Sequence, residues 1–239
     1  MKLLQLPPLA LALGLTAQAA TIASQGFEET TTSGSYTDTG DSSLDHDLVN
    51  NVGEAPVDVL NGGITFDASY VNTRNSVGLT DGDFVGITDY DGTVGAFTEG
   101  SQGYQISDPD GLMVITSQSI DISGVASVYL YFDYFIGSTG YETDDLFYAR
   151  YTIDGNPAID IVSTAGSDID DLAIEGEWIG SLTNLGTGSS LVIEFGFDSN
   201  AAPEAVYLDN IIVADEPVPE PSVALLGCFG LLGILRRRR

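Results

Sequence analysis

The sequence predicts an all-β protein whose body is a single β-sandwich, and three observations carry that prediction. Several runs alternate apolar and polar or aromatic residues with a period of two, the strand signature. Asn-Gly and Asp-Gly pairs punctuate these runs, in a chain of 28 glycines. No stretch between residues 21 and 217 sustains the 3.6-residue period of a helix without a glycine interrupting it. The 239 residues are 43% hydrophobic and 18% charged, which is enough apolar material for one core and excludes a disordered acidic chain.

In chain order, the first element is not part of the sandwich. Lys2 precedes an apolar run from Leu3 to Leu15, and Ala17-Gln18-Ala19 closes it with the small-x-small pattern a signal peptidase accepts. Residues 1–19 therefore read as an export signal, with the mature chain starting at Ala20 or Thr21. Thr30 to Ser43, rich in Thr, Ser, Gly and Asp, reads as a long loop.

Strands follow over Ile64–Tyr70, Leu112–Ile122, Val128–Ile136, Leu146–Asp154, Leu191–Asp198 and Val206–Val213. In Val128–Ile136 both alternating sets are apolar or aromatic, the pattern of a central strand covered on two sides. Leu191–Asp198 alternates one apolar with one mostly wet face. Reversals are expected at Asn61-Gly62-Gly63, Asp81-Gly82, Asp91-Gly92, Asp110-Gly111 and Asp154-Gly155. No fixed-period repeat is present, which argues against a solenoid or propeller. Residues 20–216 thus form one domain.

The charge pattern excludes whole classes of function. Setting aside Lys2, Glu220 and Arg236–Arg239 leaves two cations, Arg74 and Arg150, against 34 acidic residues, a net charge of −32. Such a body repels nucleic-acid backbones and anionic lipid, and suits solubility outside a cell, cation binding, or contact with a neutral or cationic polymer. One cysteine allows no internal disulfide, and a Cys/His zinc site would need more ligands than one Cys and one His supply.

The last residues, 217–239, have three parts in order. Val218-Pro219-Glu220-Pro221 breaks the preceding structure, Ser222–Leu235 is uncharged, and Arg236-Arg237-Arg238-Arg239 anchors the end on the cytoplasmic side. The apolar run is shorter than the roughly 20 residues that span a bilayer. This tail resembles the PEP-CTERM sorting signal, whose bearers are processed by the membrane enzyme exosortase. The resemblance implies export, a transient tether through the C-terminal helix, and delivery to the cell surface or extracellular matrix. Leu225-Leu226-Gly227-Cys228 imitates a lipobox by accident, because cleavage there would discard the body.

The body carries a second resemblance. Gly26-Phe27-Glu28 opens it, Gln118–Gly124 and Ser127–Ile136 lie in the middle, and Ala205–Val213 with Asp209-Asn210 closes it. This order is similar to the jelly-roll sandwiches of galactose-binding-like carbohydrate-binding modules and MAM-type domains. The resemblance implies that the first and last strands are neighbours and that a structural Ca²⁺ sits there, with Glu28 and Asp209 as ligands. Hard carboxylate oxygens suit that ion. The calcium-loop look of Asp81-Gly82-Asp83 fails the EF-hand pattern, since position 5 would be Val85 and position 12 Gly92.

Catalysis finds little support. His46 in Leu44-Asp45-His46-Asp47 is the single histidine, with no Gly-x-Ser-x-Gly elbow near it. Glu175-Gly176-Glu177-Trp178 pairs carboxylates with the single Trp but does not match the Glu-x-Asp-x-x-Glu strand of laminarinase-like jelly rolls. For sugar stacking the candidates are Trp178, Tyr104 and Tyr141. The reading is a non-catalytic, exported, acidic β-sandwich of the cell envelope or extracellular matrix. The alternative is a polysaccharide-binding module used for adhesion or capture.

Overall fold

The computed structural model describes residues 19–29, 35–75, 78–79 and 83–218. The export segment before Ala19, the Asp81-Gly82 turn, and the tail from Pro219 onward, with its arginine block, lie outside these residues. Among the described residues, no helix is long and apolar enough to cross a membrane.

Thirteen strands run through the described residues: β1 (Thr21–Gln25), β2 (His46–Asp47), β3 (Phe66–Val71), β4 (Phe84–Thr88), β5 (Gly103–Ser107), β6 (Gly111–Ser117), β7 (Ile120–Asp121), β8 (Val128–Ile136), β9 (Leu146–Ile153), β10 (Ile159–Ser163), β11 (Trp178–Gly186), β12 (Ser190–Ser199) and β13 (Ala205–Ala214). The one helical segment described there is a single 3₁₀ turn, Ile169–Leu172.

The strands form two antiparallel sheets. The first has the order β11-β8-β13-β5-β4, with β1 also on β13; the second has β10-β9-β12-β6-β3-β2, with β7 on β12. Within them, β5-β13-β8-β11 faces β6-β12-β9-β10, and the chain crosses between these at β5/β6, β7/β8, β8/β9, β10/β11, β11/β12 and β12/β13. That order is two Greek keys wrapped on each other, a jelly roll.

Aromatic rings fill the space between the sheets. Phe132 of β8 meets Phe195 of β12 edge-on at 5.1 Å, and Tyr134 of β8 meets Phe147 of β9 at 5.1 Å. Phe27, Phe66 and Tyr104 extend the cluster toward the chain start. These rings are fully buried or nearly so, and truncating one such Phe to Ala costs about 3–5 kcal/mol.

The central-strand expectation for Val128–Ile136 holds except at Tyr129, which is half-buried. β8 lies between β11 and β13, and its outward Tyr131 and Phe135 are buried as well as its inward side chains. Phe135 is covered by the 89–102 segment between β4 and β5, where Val94 and Phe97 pack with it, Tyr207 and Trp178.

Leu112–Ile122 is not one strand. It breaks into β6 and β7, because its pairing with β12 slips by one residue there and Ile193 N–H donates to the Ser117 hydroxyl. Six strands carry too weak a pattern to be read in advance. β2 has two residues, β4 contains Gly86, and β10 and β11 are edge strands with mostly half-exposed or exposed residues. β1 and β5 are short segments whose pairing to β13 decides them.

A cleft at the meeting of the first and last strands

β13 is long enough to serve two partners along one edge. Residues 205–208 pair with β5, and residues 211–214 pair with β1. The partners change at Asp209-Asn210, where Asn210 has φ +53° and the register against β8 shifts. Asn tolerates this left-handed backbone better than most residues.

At that break the Asp209 side chain leaves the ladder and holds the 89–102 segment. Its Oδ2 accepts from Thr98 N (2.7 Å), Thr98 Oγ1 (2.9 Å) and Glu99 N (2.8 Å), while Oδ1 accepts from Asn210 N (2.7 Å). The residue has no exposed surface. Burial pushes its carboxyl up to about 6, against the opposing pull of those hydrogen bonds.

Glu28 grips the same segment two residues further on. Its Oε1 accepts from Ser101 N (2.7 Å) and Gln102 N (2.9 Å), and Oε2 from Ser101 Oγ (3.2 Å). The resemblance therefore anticipated a real juxtaposition: first strand beside last, with Glu28 and Asp209 acting on one loop. The arrangement does not fit an ion held by this pair, since Asp209 Oδ2 with three donors and Glu28 Oε1 with two have no lone pair left for it. Hydrogen bonds do the pinning that the sequence reading assigned to calcium.

Beside this junction opens a cleft of about 610 Å³. Glu28, Glu29 and Glu99 supply carboxylates to its lining, and Gln25, Asn61 and Asn210 supply amides. Its walls are fixed by their own bonds. Glu29 accepts from Asn61 N (2.7 Å) and Nδ2 (3.0 Å), and Gln25 Nε2 donates to the carbonyls of Asn61 (2.7 Å) and Ile64 (2.6 Å). Gln25 Oε1 accepts from Phe27 N (2.6 Å), at the point where Phe27 adopts φ +59° and drops its ring into the core.

Sequence reasoning named Glu28 here and missed Glu29, Glu99, Gln25, Asn61 and Asn210. Glu29 follows Glu28 directly, and Asn61 stands in an expected turn. Only the pairing of β1 with β13 brings residues from four distant parts of the chain to one opening.

The predicted stacking residues lie elsewhere. Tyr104 has no exposed surface; it sits between the sheets, 5.7 Å from Phe27, and donates to the Val57 carbonyl (2.8 Å). Tyr141 is buried and donates to the Gly137 carbonyl (2.9 Å). Neither presents a face to a ligand, so both are core side chains. Trp178 is half-buried on the outer side of the first sheet, 5.7 Å from Phe135 and 6.2 Å from Phe97, with Nε1 donating to Ala96 O (2.8 Å). It fastens the 89–102 segment rather than standing free.

The remaining chemical candidates are committed too. His46 contacts the Leu44 carbonyl through Nδ1 (2.9 Å) and Asp38 through Nε2 (2.9 Å). Gly176, next to Glu175, donates its N–H to Ile136 O, and burial raises the Glu175 carboxyl. Both cations of the body serve internal carboxylates. Arg74 meets Asp198 (2.5 Å), Asp145 (2.7 Å) and Asp144 (3.1 Å), and Arg150 meets Glu194 (2.5 Å) while lying 4.5 Å over the Tyr148 ring.

No family model matches this chain, and no curated protein matches it. Solved structures do. The carbohydrate-binding module TmCBM61, solved with β-1,4-galactotriose, is 11% identical with a TM-score of 0.42 over 62% of this chain and 86% of that one. The CBM22-1 xylan-binding domain of Xyn10C from Paenibacillus barcinonensis is 16% identical, TM-score 0.36, over 86% and 99%. The Stig cyclase Fisc from Fischerella sp. TAU is 15% identical, TM-score 0.41, over 84% and 100%. At these scores the likenesses do not bear on function.

Proposed function

We propose that this chain is an exported, non-catalytic, acidic β-sandwich that binds a neutral polysaccharide in the cleft between its first and last strands. The observation that carries the reading is that cleft, open, about 610 Å³ in volume and lined by carboxylates and amides. Its volume lies in the range of small-ligand sites, and carboxylate and amide groups are matched to sugar hydroxyls. Backbone and side-chain bonds hold Glu28, Glu29, Gln25 and Asn61 in place, so binding would order little that is not already ordered.

Charge selects the polymer. With both body cations paired internally, the surface offers nothing to a phosphate, sulfate or uronate and repels each of them. A binding role is favoured over turnover because Glu28 and Glu29 serve as hydrogen-bond acceptors for neighbouring chain segments. In this proposal residues 1–19 are removed by signal peptidase, and residues 217–239 are recognised by an exosortase-type enzyme that delivers the body to the cell surface or extracellular matrix.

Affinity electrophoresis through gels containing neutral glycans tests the binding. Saturable retardation on at least one glycan, lost with Asn61→Ala and with Glu99→Gln, is the expected result. Free migration on every glycan would leave the purely structural reading, an acidic matrix protein, in its place.

A further inference from the structure

At the end of the sandwich where β8 passes to β9 and β12 to β13, three carboxylates converge. One oxygen from each of Glu142, Asp145 and Glu204 lies within 4.8 Å of one oxygen from each of the others. Glu142 is exposed, whereas Asp145 and Glu204 are buried, Glu204 with no exposed surface at all.

The bonding of Glu204 is half complete. Oε2 accepts from Asn200 N (3.2 Å) and Ala201 N (3.1 Å), closing the β12–β13 turn. Oε1 is buried and has no hydrogen-bond partner. A buried carboxylate oxygen left without a donor costs several kcal/mol unless a proton or a cation supplies the missing charge.

Each Asp145 oxygen takes one bond from the protein and keeps a second lone pair: Oδ1 meets Arg74 Nη2 (2.7 Å) and Oδ2 accepts from Glu142 N (2.6 Å). Arg74 is shared among Asp144, Asp145 and Asp198, so one positive charge answers five acidic groups once Glu142 and Glu204 are included. Burial, with repulsion from Asp145 and Glu142 added, raises the Glu204 carboxyl to about 7, and burial with repulsion from Glu142 raises Asp145 to about 6.

We infer that Glu142, Asp145 and Glu204 form a calcium site that ties the 137–145 loop to the 200–204 turn. Oxygen ligands alone suit a hard cation. Three oxygens spread around one calcium ion at about 2.3–2.6 Å stand up to about 4.0–4.5 Å apart, a small adjustment for three that already lie within 4.8 Å of one another. Water and main-chain carbonyls complete the six to eight positions the ion takes. This site is independent of the glycan cleft and of the Glu28–Asp209 pair.

The test is calorimetric titration of CaCl₂ into the chelator-treated full chain, with thermal melts alongside. One saturable site with a Kd of about 10⁻⁴ M is expected, in the range of calcium-binding modules outside cells. At 10 mM Ca²⁺ the melting temperature should rise by roughly 5 °C or more. Glu142→Gln, at an exposed position that leaves folding intact, should weaken binding at least tenfold, and Glu204→Gln should abolish it. Glu28→Gln should leave the affinity unchanged. Absence of saturable heat, or a calcium response that survives Glu142→Gln and follows Glu28→Gln instead, would overturn the assignment and leave a shared proton as what balances Glu204.

Discussion

Replacing Arg74 by Met probes how this acidic body tolerates its own charge. The guanidinium is 10% exposed and donates to Asp198, Asp145 and Asp144, whose side chains are 10%, 0% and 74% exposed. It joins the segment after β3, the 137–145 loop and the end of β12, three pieces with no covalent tie. Removing one partner of a buried pair leaves the other charge uncompensated and costs about 3–5 kcal/mol. An exposed pair such as Arg74–Asp144 is worth at most about 1 kcal/mol.

Arg74→Met should therefore cost about 3–5 kcal/mol, and Asp144→Ala no more than about 1 kcal/mol. For a domain of this size that separates the two melts by roughly 10 °C. Arg74→Lys should fall between them, because an ammonium keeps the charge but cannot reach three carboxylates as a planar fork does. Urea denaturation in EDTA measures the change as a shift in midpoint at constant m-value. Most of the difference should persist in 1 M NaCl, since buried pairs are poorly screened. An Arg74→Met protein as stable as Asp144→Ala would refute the view that this pairing is buried and structural.

Other outcomes follow from the same contacts. Asp209→Ala orphans the N–H groups of Thr98, Glu99 and Asn210 and should destabilise by at least about 3 kcal/mol, with amide exchange of residues 98–102 rising first. Gly86→Ala should cost more than about 1 kcal/mol, read from a denaturation midpoint, because Gly86 holds φ +129° and a Cβ would stand 2.6 Å from Pro56 O. Trp178→Ala should lower stability by about 2 kcal/mol through lost packing on Phe135 and Phe97; glycan retardation that survives it would place the ligand in the cleft rather than on the Trp face.

His46 offers a clean titration as the single histidine. Burial pulls its pKa down, but the Leu44 carbonyl and the Asp38 carboxylate outweigh this and raise it above the usual 6.5. The ion pair's contribution is then fully present below pH 6.5 and is lost as pH rises through the folded value. The NMR midpoint should lie above 6.5 and fall in Asp38→Asn; a midpoint below 6.5 would contradict the pairing.

The amino-acid order by itself determined the class of fold and its central strands. Val128–Ile136 is apolar on both alternating sets, and only a strand covered on two faces can use such a sequence. Leu191–Asp198 and Val206–Val213 carry enough β-branched and aromatic residues to be legible without knowledge of their neighbours. Charge was equally legible: two cations among 34 acids in the body leave no basic face, whatever the fold.

What the carboxylates do was decided by tertiary structure, although the jelly-roll resemblance had already set Glu28 beside Asp209. Glu28 and Asp209 act on one loop because β1 and β5 share an edge of β13, and Glu142, Asp145 and Glu204 meet because two crossings between sheets end side by side. Tyr104 and Tyr141 became core residues for the same reason. A side chain's burial depends on what the opposite sheet places over it, and local alternation does not encode that partner. Hydrophobic periodicity is a property of neighbours in the chain, whereas charge repulsion, desolvation and ligand geometry depend on neighbours in space.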